Sequence, residues 1–218
     1  MTKPRIPETD QGIVGQVTVT QYDLMQRGFR EKGWLETPAL LRHGITCGQA
    51  LEIGPGPGYL GLEWLKQTEK TTLVGLDISP DMQALARRNA QAYQVAPRTD
   101  YRLGNCDAIP CEDGSFDAVF TSGSLHEWAN PRGAFDEIWR VLKPGGKYLI
   151  ADLRRDMSAL IRGFMWLSVR PTAMRPGLLT SVGAAYTLQE LRQLAAGTKL
   201  KGCEISVETV GLTVAGVK

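Results

Sequence analysis

The run Leu51-Glu52-Ile53-Gly54-Pro55-Gly56-Pro57-Gly58-Tyr59 sets three glycines where an apolar strand pattern gives way to a helical one. Bare backbone there lets a ligand approach closely, as a nucleotide does at the carboxyl edge of a parallel sheet. Gly56 to Gly61 also satisfies G-x-G-x-x-G, the spacing of a dinucleotide cradle. Pro55 and Pro57 argue against a pyrophosphate, because each removes a backbone N–H that such a cradle would use. Glu52 at the loop mouth repels phosphate but suits a ligand bearing a cation or an ammonium group. Asp77, ending the next strand pattern, can accept bonds from both hydroxyls of a ribose. Together these residues fit an adenosyl ligand that carries a sulfonium and an amino acid.

A second constellation is Ser122-Gly123-Ser124-Leu125-His126-Glu127-Trp128, directly after a further strand pattern. His126 can act as a base near neutral pH, with Glu127 orienting it or binding a substrate cation; the alternative is that His126 only packs or caps a turn. Trp128 reads as a pocket wall. His43 reads as a surface or capping residue. Cys47, Cys106, Cys111 and Cys203 form no C-x-x-C pair, so neither a metal site nor a disulfide framework is expected.

These residues need a scaffold that brings strand ends to one edge. Strand patterns at 50–53, 72–77, 100–103, 116–121 and 147–152 alternate with helical patterns at 58–67, 80–93 and 131–142. Such alternation predicts a doubly wound, mostly parallel sheet between two helical layers. Helical patterns at 21–31 and 34–42 precede it, and one at 188–196 follows. The β-rich runs 203–210 and 212–217 are separated by Gly211 alone, which permits only antiparallel neighbours.

The sequence resembles the class I S-adenosylmethionine-dependent methyltransferases, in the type 11 group that includes quinone-biosynthesis C-methyltransferases. Beyond the glycine loop, the resemblance rests on Gly104-Asn105-Cys106-Asp107-Ala108-Ile109-Pro110 ahead of Ser115-Phe116-Asp117, and on the turn Lys143-Pro144-Gly145-Gly146. It implies a Rossmann-like three-layer sandwich whose seven-stranded sheet carries an antiparallel C-terminal strand. The implied cofactor is S-adenosyl-L-methionine, leaving as S-adenosyl-L-homocysteine, and the implied reaction is in-line methyl transfer to a small-molecule acceptor. The cofactor residues implied are Tyr22, Glu52, Gly54, Gly56, Gly58, Asp77, Ile78, Asn105, Cys106 and Ser122. Asn105 stands where the family carries an acid, and its amide oxygen can still accept from the adenine amino group. Tyr22, beside Asp23, is the candidate aromatic lid. Two other readings are a cofactor-binding sensor without turnover and a nicotinamide-dependent oxidoreductase.

The segment 154–186 is basic and apolar together. It carries Arg154, Arg155, Arg162, Arg170 and Arg175 against Asp156, with a helical apolar periodicity at Met157, Leu160, Ile161 and Phe164. The resemblance makes it a lid-like insertion over the acceptor; a dimer contact and a membrane-surface contact are its other uses. Glu127, Trp128, Arg162 and Trp166 are the expected acceptor-binding residues. Residues 1–19 read as a flexible arm, and 20–218 as the methyltransferase domain with cap helices over 20–45. A chain of 218 residues with net charge +2 shows no basic excess for nucleic acid. The absence of an apolar leader or spanning stretch points to a cytoplasmic monomer or homodimer.

Overall fold

A computed structural model describes residues 4–8 and 12–218. Helices α1 (Gln16–Glu31) and α2 (Thr37–Arg42) precede strand β1 (Gly48–Ile53). Then follow α3 (Tyr59–Gln67), β2 (Thr71–Asp77), α4 (Pro80–Ala92), β3 (Thr99–Leu103), β4 (Phe116–Ser122), α5 (Pro131–Val141) and β5 (Leu142–Leu153). The chain ends with α6 (Ala159–Ser168), α7 (Arg175–Ala184), α8 (Leu188–Ala196), β6 (Glu204–Val207) and β7 (Gly211–Val217). One seven-stranded sheet has the order β3-β2-β1-β4-β5-β7-β6. Strand β7 runs antiparallel to both neighbours, and the other pairings are parallel. The Rossmann-like expectation holds.

Strand alternation decides which side chains enter which layer. Leu51, Ile53, Val74 and Leu76 pack with Phe135 and Ile138 of α5 and Leu191 of α8. Residues of opposite parity, Ala50, Leu73, Phe120 and Leu149, pack with Leu40 of α2, Trp64 of α3 and Ala86 of α4. Each fully buried large apolar side chain contributes about 1.5–3 kcal/mol, so the sheet is held from both faces. Strand order reverses between β1 and β4, and there the crevice at the carboxyl ends opens.

Three boundaries differ from the sequence reading. Helix α1 begins at Gln16, because the Gly15 N–H donates to Asp81 Oδ2 of α4 at 2.8 Å and fixes the start of the helix there. The predicted turn at 143–146 lies inside β5, where the register with β4 shifts between Phe116 and Ala118. The predicted loop around 170–177 contains the start of α7, with Pro176 in its first turn. The arm expected over residues 1–19 falls in part outside the described residues. Its described part is tied down: the Ile6 N–H donates to the Gly183 carbonyl at 3.1 Å, and the Arg5 guanidinium sits 4.3 Å from the Tyr186 ring centre. Among the described residues, no helix is long and apolar enough to cross a membrane.

Candidate active site

The pocket lies at the β1–β4 crevice, at the carboxyl ends of the strands, and is open to solvent on one side. Its floor is backbone. Gly54 and Gly56 have φ of +62° and +53°, which L side chains rarely adopt, and so turn the chain sharply out of β1. A Cβ on Gly54 would stand 2.8 Å from Ser124 Cβ, and one on Gly56 would stand 3.4 Å from the Tyr22 ring. Asp77 fastens this floor to β2: its Oδ2 accepts from the Gly56 N–H at 3.0 Å and its Oδ1 from the Ser79 N–H at 2.9 Å. Burial raises the Asp77 pKa, and the backbone donors oppose that rise. Each carboxylate oxygen keeps a second lone pair for a ligand.

Ile78, Met82, Gly104, Asn105 and Cys106 form one end of the pocket. Burial pushes the Cys106 thiol up to about 12, so it is a packing residue and not a nucleophile. Gly123, Ser124, Glu127, Trp128 and Ala129 form the other end. The Trp128 indole N–H donates to Ser124 Oγ at 3.1 Å, and its ring meets Phe135 edge-on at 6.2 Å. Tyr22 lines the pocket from α1, which Asp23 pins down by accepting from the Tyr59 hydroxyl at 2.7 Å. Burial, with nearby Glu127, raises the Tyr22 phenol well above its ordinary pKa and keeps it neutral.

Behind Glu127 stands a charged cluster. His126 is 4% exposed and its Nδ1 lies 2.8 Å from Asp152 Oδ1 at the end of β5. Its Nε2 lies 3.4 Å from Glu8 Oε2 and 3.9 Å from Glu127 Oε1. Burial opposes the imidazolium, but Asp152, Glu127 and Glu8 outweigh it and raise His126 to about 9. The cation that these carboxylates face at neutral pH is therefore His126 itself. Glu127 is pushed up to about 7 by burial, with His126 working against the rise and Glu8, Asp152 and Asp77 adding to it.

Comparison with known proteins agrees with this geometry. A family model described as a methyltransferase domain matches residues 51–150. The chain is 30% identical over 171 residues to the demethylmenaquinone methyltransferase of Deinococcus radiodurans, a match covering 77% of this chain and 70% of that one. The chain belongs to the class I S-adenosylmethionine-dependent methyltransferases. A 32% identical match over 153 residues to the ubiquinone/menaquinone biosynthesis C-methyltransferase UbiE of Geobacter sulfurreducens spans 66% of this chain and 59% of the relative. The structure of a methyltransferase of the same cofactor from Aquifex aeolicus superposes with a TM-score of 0.70 at 17% identity, over 94% of this chain and 99% of that one. The fold does not choose the chemistry: the [4+2]-cyclase SpnF shares it at a TM-score of 0.57 and 23% identity, over 93% of this chain and 64% of that one.

The methyltransferase uses S-adenosyl-L-methionine, and the residues fit it. The tight glycine floor, the Asp77 carboxylate with free lone pairs and the apolar end at Ile78 and Cys106 suit a methionine chain, a ribose and a purine in turn. Of the residues expected to hold the cofactor, Tyr22, Gly54, Gly56, Asp77, Ile78, Asn105 and Cys106 line the pocket. Gly58, Glu52 and Ser122 do not. Gly58 caps α3 at φ +85°, and a Cβ there would stand 2.9 Å from the Tyr101 hydroxyl. Glu52 has the parity of Ala50, so its side chain turns under α3, where a Cβ on Gly61 would stand 2.3 Å from its Oε2. It is 2% exposed, and burial raises it to about 8. The nicotinamide reading gives way to the family that the relatives show. Ser122 is exposed, and Gly123 and Ser124 take its place at the pocket.

Of the residues expected to bind the acceptor, Glu127 and Trp128 line the pocket, whereas Arg162 and Trp166 lie on the exposed face of α6. His126, the expected base, does not line the pocket; its ring is turned to Asp152 behind the wall. Gly12 and Ile13 also line the pocket, a role the sequence reading missed. The available signal was the apolar Ile13-Val14 pair between two glycines in an otherwise polar arm.

Proposed function

We propose that this methyltransferase methylates a ring carbon of a small phenolic acceptor, of the demethylated quinol class, with Glu127 as the general base. The observation that carries the reading is Glu127 itself, a carboxyl group at the pocket wall with a pKa of about 7. A group so poised takes a proton at neutral pH without being permanently charged. The quinone-pathway names of the Deinococcus and Geobacter relatives support the acceptor class.

When bound, S-adenosyl-L-methionine supplies a methyl group already activated on a sulfonium. The protein's work is alignment, proton removal and exclusion of water. Glu127 takes the phenolic proton, which raises electron density on the ring carbon that forms the new C–CH₃ bond. In the loaded site the sulfur would keep the electron pair of the S–CH₃ bond, and the ring proton would pass to solvent as aromaticity returns. His126, anchored by Asp152, is a positioning residue: its positive charge keeps the Glu127 pKa from climbing out of range. Tyr22 and Trp128 wall the site against water.

The test is incubation of the full chain with methyl-labelled cofactor and a short-chain demethylated naphthoquinol. The expected product carries label on a ring carbon. Label on oxygen, or transfer only to thiols or amines, overturns the reading.

A further inference from the structure

Helix α6 buries none of its ten residues. Leu160, Phe164 and Leu167, spaced i, i+4 and i+7, form one stripe on the face away from the protein, and they are 84%, 60% and 60% exposed. Ile161 and Met165, on the inner side, are half-buried. A helix that only covered a sheet would turn its largest apolar residues inward. Here a second apolar stripe is held out in solvent, which is the arrangement of a surface made for another apolar phase.

The charge on the segment that carries the stripe has one sign. No Asp or Glu occurs between Asp156 and Glu190, while Arg162, Arg170 and Arg175 do. The end of α1 adds a fourth cation, as Lys32 Nζ donates to the Ser168 carbonyl at 3.2 Å. Exposed Trp34 extends the apolar face, its ring centre 6.2 Å from that of Phe164. The Arg175 guanidinium lies 4.2 Å from the Trp166 ring centre, so the cation is held beside the helix end.

We propose that this face docks on an anionic lipid bilayer. The Leu160, Phe164 and Leu167 stripe enters the boundary between headgroups and acyl chains, and the surrounding arginines and Lys32 meet lipid phosphates. At about 1.5 Å per residue the helix lies in the interface and is far too short to span it. A second copy of the chain is the poorer occupant. Across a two-fold contact the basic face of one copy would meet the same basic face of the other, with no carboxylate on the segment to pair with its arginines. The proposal needs neither the cofactor nor the acceptor, so it stands or falls separately from the quinol reading.

Vesicle flotation of the full chain tests it, using phosphatidylcholine alone and phosphatidylcholine mixed with phosphatidylglycerol. The protein is expected to float with the anionic vesicles, and less so as salt is raised. Leu160→Ser combined with Phe164→Ser should weaken partitioning about ten-fold or more. Its cofactor affinity should stay unchanged and its melting temperature should move little, since neither side chain is buried and Phe164 touches only exposed Trp34 among the aromatic rings of the described residues. Arg162→Gln should weaken binding chiefly at low salt. Wild-type protein that stays unbound with anionic vesicles, or a serine double variant that floats as well as wild type, overturns the proposal. So does a solution dimer that the double variant abolishes, which would give the face to a second copy.

Discussion

The two ends of the pocket are built from different material. At the cofactor end the ligand meets backbone: two left-handed glycines, one carboxylate holding the loop by its N–H groups, and the first turn of the next helix, all within residues 53–106. At the other end the pocket is walled by side chains, Glu127 and Trp128 after β4, and behind them stand His126, Asp152 at the end of β5 and Glu8 of the arm. The backbone end is rigid by local geometry and tolerates little change in shape. The side-chain end is set by charge balance and responds to pH. That difference separates affinity for the cofactor from the chemistry performed on the acceptor, and it can be tested by damaging each end alone.

The largest effect is expected from Gly54→Val. Left-handed backbone costs an L-residue about 1–2 kcal/mol, and the new Cβ would collide with Ser124, so calorimetry should show cofactor affinity reduced about a hundred-fold or more. Wild-type affinity in this variant would mean that the glycine floor is not what holds the ligand. Glu127→Gln should leave that affinity within a few-fold while turnover drops by about 10²–10⁴. In the wild type, turnover should rise with pH as Glu127 loses its proton around 7, and this limb should vanish in the variant. A variant that keeps the limb would place the base elsewhere.

Asp152→Asn sharpens the account of the charged cluster through stability. His126 has a folded pKa of about 9 against an ordinary 6.5, a raised value. Its contribution is therefore fully present below about 6.5 and is lost as pH rises through about 9. Wild-type melting temperature should fall by a few degrees over that window, and the slope should flatten in Asp152→Asn. An unchanged slope would remove Asp152 as the partner that charges His126. The smallest effect is expected from Arg162→Ala. Its side chain lies on the outer helix, away from the pocket, so turnover of a soluble acceptor should stay within about two-fold. A large loss would return α6 to the acceptor site.

The backbone end was legible in the sequence because its information is local. Gly54, Gly56, Asp77, Ile78, Asn105 and Cys106 follow strand patterns at fixed offsets, and a strand end followed by glycine specifies a turn without reference to the rest of the chain. Glu52 lies in the same motif but outside the pocket lining. Its type and position suited a ligand, but strand parity turned it under α3, where burial raises its pKa. His126 and Glu127 are adjacent after β4, and the fold turns Glu127 to the pocket and His126 to Asp152 behind it, which no local pattern distinguishes.

The sequence by itself determined the alternating strand and helix order, the antiparallel final strand, the glycine floor and the family. Periodicity, turn chemistry and short motifs are properties of neighbours along the chain. Only the tertiary structure decided that the arm reaches the pocket through Gly12 and Ile13, that Asp152 holds His126, and that the apolar stripe of α6 faces outward. Those outcomes depend on contacts between residues as far apart as Glu8 and His126, or Ile6 and Gly183. Folding energy sets such contacts through the packing of whole layers, and no short window of residues encodes it.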